Sequence, residues 1–84
     1  MSTKQKEILS EKEANLFKKK FGERVREIRK QKGFSQLDLA SILNIDKTSI
    51  SRLENGRVNA KLTTAVKLAI ALEVDLSSLY QFEK

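Results

Sequence analysis

Two short segments with helical patterns stand only two residues apart, and this junction limits the fold more than any other feature of the chain. The first segment covers residues 35–43 and the second covers residues 46–55, so that Asn44 and Ile45 alone separate them. Helices that are joined this tightly cannot lie antiparallel over a long contact. We therefore expect the two helices to cross at a steep angle.

The ends of both segments carry signals of their own. Ser35 is followed by Asp38 three residues later, which is a capping-box pattern, and Asp46 is the predicted cap of the second segment. Asn44 tolerates the left-handed backbone that a tight exit from a helix requires. Ala40 is small enough for a close approach of the two helices. Together these signals predict a helix-turn-helix.

The rest of the chain is predicted to be helical as well. The sequence has no Pro and only three Gly, and no segment alternates strictly between apolar and polar residues. Ser10 and Glu13 form a capping-box pattern for a helix that runs to about Lys32. A fourth helix is expected over residues 62–72, followed by a last turn or short helix. We predict an all-α fold of five helices around one core.

Apolar residues at three- and four-residue steps define the expected core. Gly22 interrupts the first helix at a cost of about 1 kcal/mol, so this helix is either continuous or broken there. The predicted inner faces are, in chain order, Phe17, Phe21, Val25, Ile28, Leu39, Ala40, Leu43, Ile45, Ile50, Leu53, Leu62, Ala65, Val66, Ala69 and Leu72.

Composition excludes several classes of protein. The chain has 84 residues, which allows one domain, and its formal net charge is +6. It contains neither Cys nor His, which excludes a zinc finger or a zinc enzyme, and we expect no metal and no cofactor. The longest apolar run is far short of the roughly 20 residues of a membrane span, and we expect a cytoplasmic protein. A basic chain of this kind favours an anionic partner, with nucleic acid first.

The positive charge lies in the first third of the chain. Residues 1–33 hold 11 Lys or Arg against 5 Asp or Glu, whereas residues 34–84 hold 6 of each. We treat residues 1–20 as a partly helical N-terminal extension and residues 21–84 as the helix-turn-helix domain. The lysines of the extension either keep the protein soluble or contact phosphates, the latter through Lys18, Lys19 and Lys20.

The predicted third helix, residues 46–55, has two chemically different faces. Ile50 and Leu53 point to the core, and short or extendable polar side chains point away from it. Such side chains suit the base edges of the DNA major groove, although an ordinary solvated helix face has a similar composition. The outward polar residues are Thr48, Ser51, Arg52 and Asn55, and Lys47 lies between the two faces near the start of the helix. Ser49 and Ser51 are small and would let the helix enter the groove deeply.

Arg29 and Glu54 each lie at the edge of an apolar stripe. A half-buried carboxylate needs a partner, so we predict an ion pair that joins the first helix to the third. The alternative is that both groups are solvated separately.

These residues resemble the helix-turn-helix family of the phage lambda repressor and Cro, the XRE-type DNA-binding domains. The resemblance covers about residues 21–80 and is carried by Gly33-Phe-Ser-Gln-Leu-Asp-Leu-Ala and by Ile-Ser-Arg-Leu-Glu-Asn-Gly56. It implies a lambda-repressor-like fold with an Arg29–Glu54 pair. It also implies base reading by Lys47, Thr48, Ser49 and Arg52, and phosphate contacts by Gln36, Asn55 and Arg57, to which we add Ser51 and Lys61.

Three positions depart from the family pattern. Ala60 replaces a Pro that often follows the Glu-Asn-Gly motif, so the loop there is expected to be less rigid. Asn44 replaces a common Gly but takes the same backbone shape. Glu73 replaces another common Gly, and we expect a different turn after the fourth helix.

Two classes of function remain in competition. The first is a DNA-binding transcription regulator, a repressor or controller that reads an inverted repeat of double-stranded DNA as a homodimer. The second is an antitoxin-type interaction module whose extension binds a partner protein and which represses its own operon. An enzyme is disfavoured, because the chain lacks His, Cys and a Gly-rich phosphate loop.

Apolar residues near the end of the chain suggest where two copies meet. Ile70 faces away from the main stripe of its helix, so it either joins a self-complementary patch or packs under the N-terminal extension. The candidates for the dimer patch are Ile70, Leu79, Tyr80 and Phe82.

Overall fold

The computed structural model describes residues 8–82, which form four α-helices and a final 3₁₀ turn, with no strand in that range. The helices are α1 (Glu11–Gln31), α2 (Gln36–Leu43), α3 (Lys47–Glu54) and α4 (Leu62–Leu72), and the 3₁₀ turn spans Leu76–Tyr80. The all-α prediction is confirmed, but the count of five helices is not. The last element is held by short i→i+3 bonds, such as Ser78 N to the Asp75 carbonyl at 2.9 Å, and it does not extend into an α-helix.

Helix α1 begins at the predicted capping box and continues through Gly22. The Ser10 hydroxyl accepts from Glu13 N and the Glu13 carboxylate accepts from Ser10 N, both at 3.1 Å. A side chain at position 22 would overlap the backbone carbonyl oxygens of Leu53 and Glu54. The glycine is therefore needed where α1 touches the end of α3. Since α1 passes residues 20 and 21 without a break, the extension and the domain share one helix.

The turn between α2 and α3 follows the prediction. Ser35 and Asp38 form a complete capping box, and Asn44 adopts the left-handed conformation with φ 57°. The Ile45 N–H donates to the Ala40 carbonyl at 3.0 Å and closes the end of α2. Asp46 precedes α3 as predicted, but its side chain makes no capping hydrogen bond, and only its carbonyl takes part in the helix.

The turn after α4 has the shape that a glycine would give it. Glu73 adopts φ 58°, and the Val74 N–H donates to the Ala69 carbonyl at 3.0 Å. The expectation of a different turn was wrong, because these backbone bonds hold the glutamate in a conformation that strains a residue with a Cβ atom.

One apolar core fills the space between the helices. Helix α4 contributes the predicted residues Ala65, Ala69 and Leu72 to this core, and also Leu68, which was not predicted. Ile45, Leu62 and Val66 were predicted to face the core, but they are exposed by 43%, 66% and 38%. The buried stripe of α4 is centred on Leu68 and Leu72. Leu62 and Val66 therefore lie at the edge of this stripe. The buried apolar residues are Phe21, Val25, Ile28, Leu39, Ala40, Ile50, Leu53, Ala65, Leu68, Ala69, Leu72 and Leu79.

No helix among residues 8–82 is both long and apolar enough to cross a membrane. The same residues contain no cluster of acidic side chains arranged to hold a metal ion.

Candidate nucleic-acid interface

Helix α3 presents a polar surface to solvent and an apolar surface to the core. Ile50, Leu53 and Glu54 are buried, which fixes the rotation of the helix. Ser51 is half-buried at the edge of the outer face. The remaining predicted base-reading and phosphate-contacting residues of α3 and its end are exposed: Lys47, Thr48, Ser49, Arg52 and Asn55.

A buried ion pair joins the inner side of α3 to α1. Arg29 Nε donates to Glu54 Oε2 at 2.6 Å, and an Arg29 terminal nitrogen donates to Glu54 Oε1 at 3.0 Å. The second terminal nitrogen of Arg29 donates to the Phe34 carbonyl at 2.8 Å, which ties in the turn before α2. The two-pronged geometry therefore holds α1, the α1–α2 turn and α3 in one arrangement.

Gln36 completes the coordination of the Glu54 carboxylate. Its Nε2 donates to Glu54 Oε1 at 3.0 Å, so the side chain at the start of α2 turns toward the buried carboxylate. Gln36 is half-buried. Gln36, which was predicted to contact phosphate, is the first residue of α2, and its side chain links α2 to α3.

Arg26 is a member of this network that sequence reasoning missed. Its Nε lies 3.5 Å from Glu54 Oε1, and a terminal nitrogen donates to Asn55 Oδ1 at 3.2 Å. The Asn55 amide nitrogen in turn lies 3.5 Å from the Ser51 hydroxyl. Arg26 therefore orients a predicted phosphate contact from behind. Its spacing of three residues from Arg29 on one helix was the available signal.

The protonation of this network follows from its contacts. Burial raises the pKa of Glu54, but hydrogen bonds from Arg29, Gln36 and Arg26 and the Arg29 charge outweigh it, so the pKa of Glu54 lies below its ordinary value. The hydrogen bond from Arg29 to Glu54 raises the pKa of the guanidinium. At the start of α2, bonds from the Ser35 backbone and side chain lower the pKa of Asp38. Glu54 and Arg29 are thus both charged at neutral pH.

The loop that follows α3 places the last predicted phosphate contacts at the surface. Gly56 has φ 73°, and the Arg57 N–H donates to the Arg52 carbonyl at 2.9 Å, so the chain leaves α3 in a tight left-handed turn. Arg57 and Lys61 are exposed. A side chain at position 56 would meet the Lys19 backbone, with a Cβ 2.6 Å from the Lys19 Cα.

The four candidates for a dimer patch do not line one cavity, since Ile70 lines one on α4 and Tyr80 and Phe82 line another beside α1. Ile70 is 71% exposed on α4, and the described part of the extension does not cover it. It lines a shallow cavity with Ile42, which sequence reasoning missed. Leu79 was a wrong choice, because the 3₁₀ turn points it into the core, where it is fully buried.

Tyr80 and Phe82 belong to a second surface, beside α1. The Tyr80 ring lies 5.2 Å from the Phe21 ring, and the Phe82 ring lies 6.4 Å from the Phe17 ring, measured between centroids. Phe82 is half-buried by this contact. These aromatic pairs attach residues 80–82 to the first helix.

Comparison with known proteins places this geometry in a family. The helix-turn-helix family HTH_3 matches residues 25–79. The control protein C.MunI of Mycoplasma sp is 34% identical over 67 residues, which are 79% of this chain and 90% of that protein. The 10 kDa protein of the ImmF control region of Bacillus phage phi105 is 34% identical over 65 residues, 77% of this chain and 72% of that protein.

A solved structure shows the same fold. The restriction-modification controller protein C.AhdI from Aeromonas hydrophila superimposes with a TM-score of 0.75 at 37% identity, covering 77% of this chain and 94% of that chain. The family match over residues 25–79 includes α2, the Asn44 turn, α3 and the Arg29–Glu54 pair. The chain therefore belongs to the HTH_3 helix-turn-helix family.

Proposed function

We propose that this helix-turn-helix transcription regulator binds double-stranded DNA by inserting α3 into the major groove. The observation that carries the proposal is the exposed polar face of α3, which the buried Arg29–Glu54 pair holds in a fixed orientation. A rigidly mounted helix with small and polar outward side chains can approach base edges closely. We assign a repressor or controller role because the similar proteins C.MunI and C.AhdI bear the names of control and controller proteins.

The roles of individual residues follow from their side chains. Arg52 has the planar fork that pairs with guanine O6 and N7, and Lys47, Thr48 and Ser49 at the start of α3 complete the base-reading set. Phosphate contacts at both ends of the helix position it in the groove. We assign these contacts to Gln36, Ser51, Asn55, Arg57 and Lys61.

Selection of random DNA duplexes by the purified protein tests the proposal directly. We expect enrichment of one sequence at moderate salt, arranged as an inverted repeat with half-sites about 34 Å apart. Failure to enrich any sequence would remove the proposed function.

Single substitutions test the assigned roles on the selected duplex. Arg52→Ala is expected to weaken binding by about 1–3 kcal/mol and to relax the choice of base at one position. Arg57→Ala serves as the matched control, since loss of a phosphate contact weakens all duplexes nearly alike. If Arg52→Ala left base preference intact at every position, the reading role of Arg52 would be wrong.

We also propose that the chain pairs with a second copy through the patch formed by Ile42 and Ile70. Two exposed isoleucines beside one shallow cavity form a patch that a symmetric partner can cover. Sedimentation of Ile70→Lys is expected to show a monomer at concentrations where the original chain is a dimer. Leu16→Lys is the control, because Leu16 is an exposed apolar residue on α1 outside the patch. A monomeric original chain at high micromolar concentration would refute the pairing.

A further inference from the structure

A positively charged surface continues from the loop after α3 onto the side of α1. The loop, residues 55–61, contains Arg57 and Lys61 and no acidic residue. The acidic residue that precedes it, Glu54, is buried and paired with Arg29. The loop therefore carries two positive charges and no carboxylate.

Helix α1 packs directly against this loop and brings two lysines to it. The Lys19 backbone touches Gly56, as the close approach to the Lys19 Cα shows. Lys18 lines a groove of about 330 Å³ together with Asn59 and Ala60. Lys18 and Lys19 thus lie beside the segment that carries Arg57 and Lys61.

Neither lysine forms an ion pair with another of the residues that the structure describes. Within residues 8–82, the ion pairs involve Arg24, Arg26 and Arg29, and none involves Lys18 or Lys19. Lys19 is exposed and Lys18 is half-buried, so their long stems leave the charged ends free to reach an anion.

Lys20 is in a different position, although it follows in the sequence. Lys20 is rotated by about 200° from Lys18 around the helix axis, so the two side chains lie on opposite sides of Lys19. Lys20 lies beside Glu23, Glu27 and Arg24, on a surface of mixed charge. The three consecutive lysines therefore divide into two at the loop and one away from it.

We propose that Lys18 and Lys19 bind DNA phosphates next to those held by the loop after α3, and that Lys20 does not. This inference rests on the proposed function, because it requires α3 to lie in the major groove. The phosphate contacts then extend from the end of α3 onto α1, ahead of the segment that matches the family. The first half of α1 thereby becomes part of the DNA-binding surface.

The dependence of DNA affinity on salt distinguishes these lysines. Each phosphate that a lysine neutralises adds about 0.9 to the magnitude of the slope of log affinity against log salt concentration. The full chain with both Lys18→Gln and Lys19→Gln is expected to lose about 2 from that magnitude on the selected duplex. Lys20→Gln, which removes one positive charge from the adjacent position, is expected to leave the slope unchanged, whereas Lys18→Gln or Lys19→Gln alone is expected to lower its magnitude by about 0.9. Base preference is expected to stay the same in all variants.

Each outcome decides a separate question. Equal salt slopes for the original chain and the Lys18/Lys19 variant would overturn this inference. Sequence-specific DNA binding by the original chain would in that case still support the proposed function. A loss of about 0.9 with Lys20→Gln would also overturn the inference, since a general effect of each charge would then replace located contacts. The thermal midpoint of each variant, followed by circular dichroism, checks that the fold is retained, as expected for side chains that form no ion pair within residues 8–82.

Discussion

Replacement of Glu54 by alanine is expected to remove a large part of the free energy of unfolding. The Glu54 side chain is 0% exposed, and it accepts hydrogen bonds from Arg29, Gln36 and Arg26. The Arg29 side chain is only 8% exposed, and the Phe34 carbonyl is the one other acceptor to which its guanidinium donates among the described residues. The variant therefore leaves a positive charge buried without its counter-ion.

The magnitude follows from the degree of burial. Removal of one partner from a buried ion pair costs about 3–5 kcal/mol. Arg26 approaches from solvent with 42% of its side chain exposed, so water reaches one side of the site and the lower end of that range, about 3 kcal/mol, applies. A domain of this size has a total stability of roughly 4–13 kcal/mol, at about 0.05–0.15 kcal/mol per residue. The variant is thus expected to lose between a quarter and three quarters of it.

Urea denaturation followed by far-ultraviolet circular dichroism measures the loss. The matched control is Glu27→Ala, because Glu27 pairs with Arg24 at 2.8 Å on the same helix but is 56% exposed. Such a surface pair contributes about 0–1 kcal/mol, and we expect a correspondingly small change. If Glu54→Ala destabilised the protein no more than Glu27→Ala, the buried pair would not hold α1 to α3 and the reasoning would be refuted.

Three further predictions concern the same framework. The pKa of Glu54 lies below its ordinary value of 4.5, so the ionised carboxylate contributes fully to the free energy of unfolding above about pH 4.5. This contribution is lost as the pH falls through the folded-state pKa. Urea midpoints from pH 6 to pH 3 should therefore fall less steeply for Glu54→Gln than for the original chain. Glu73→Gly should raise the free energy of unfolding by about 0.5–1 kcal/mol, because it relieves a left-handed residue, and an unchanged urea midpoint would contradict the strain. Gly22→Ala should destabilise the protein by about 1–3 kcal/mol despite the better helix propensity of alanine, since its Cβ would overlap the Leu53 and Glu54 carbonyl oxygens; a rise in the thermal midpoint would show that the helices separate freely.

The positions of the helices were accessible from sequence because their signals are local. The capping boxes at Ser10 and Ser35 join residues three positions apart, and the left-handed Asn44 ends α2 through bonds to its own last turn. Helix α4 occupies residues 62–72, as its apolar spacing predicted. Such features depend on neighbours within one turn, which the sequence displays directly.

The burial of each side chain was harder to predict from the sequence, because it depends on which element packs against that side chain. The apolar residues Ile45 and Leu62 were placed inward by periodicity but lie at the surface, exposed by 43% and 66%. Leu79 was placed outward and is buried, because Arg24 Nε holds the 3₁₀ turn to α1 through the Ser78 carbonyl at 2.8 Å. Periodicity identifies a stripe, and the packing of distant segments decides which part of that stripe is covered.

The sequence by itself determined the helices, the tight turn before α3 and the polar residues along α3, since each arises from side chains close together in the chain. Tertiary structure alone decided how the polar face of α3 is held in place and which other residues lie beside it. Arg26 and Gln36 join the Glu54 carboxylate from positions 28 and 18 residues away. Lys19 reaches Gly56 because Gly22 lets α1 approach α3. These contacts depend on the close approach of backbones from separate helices, which no local pattern specifies.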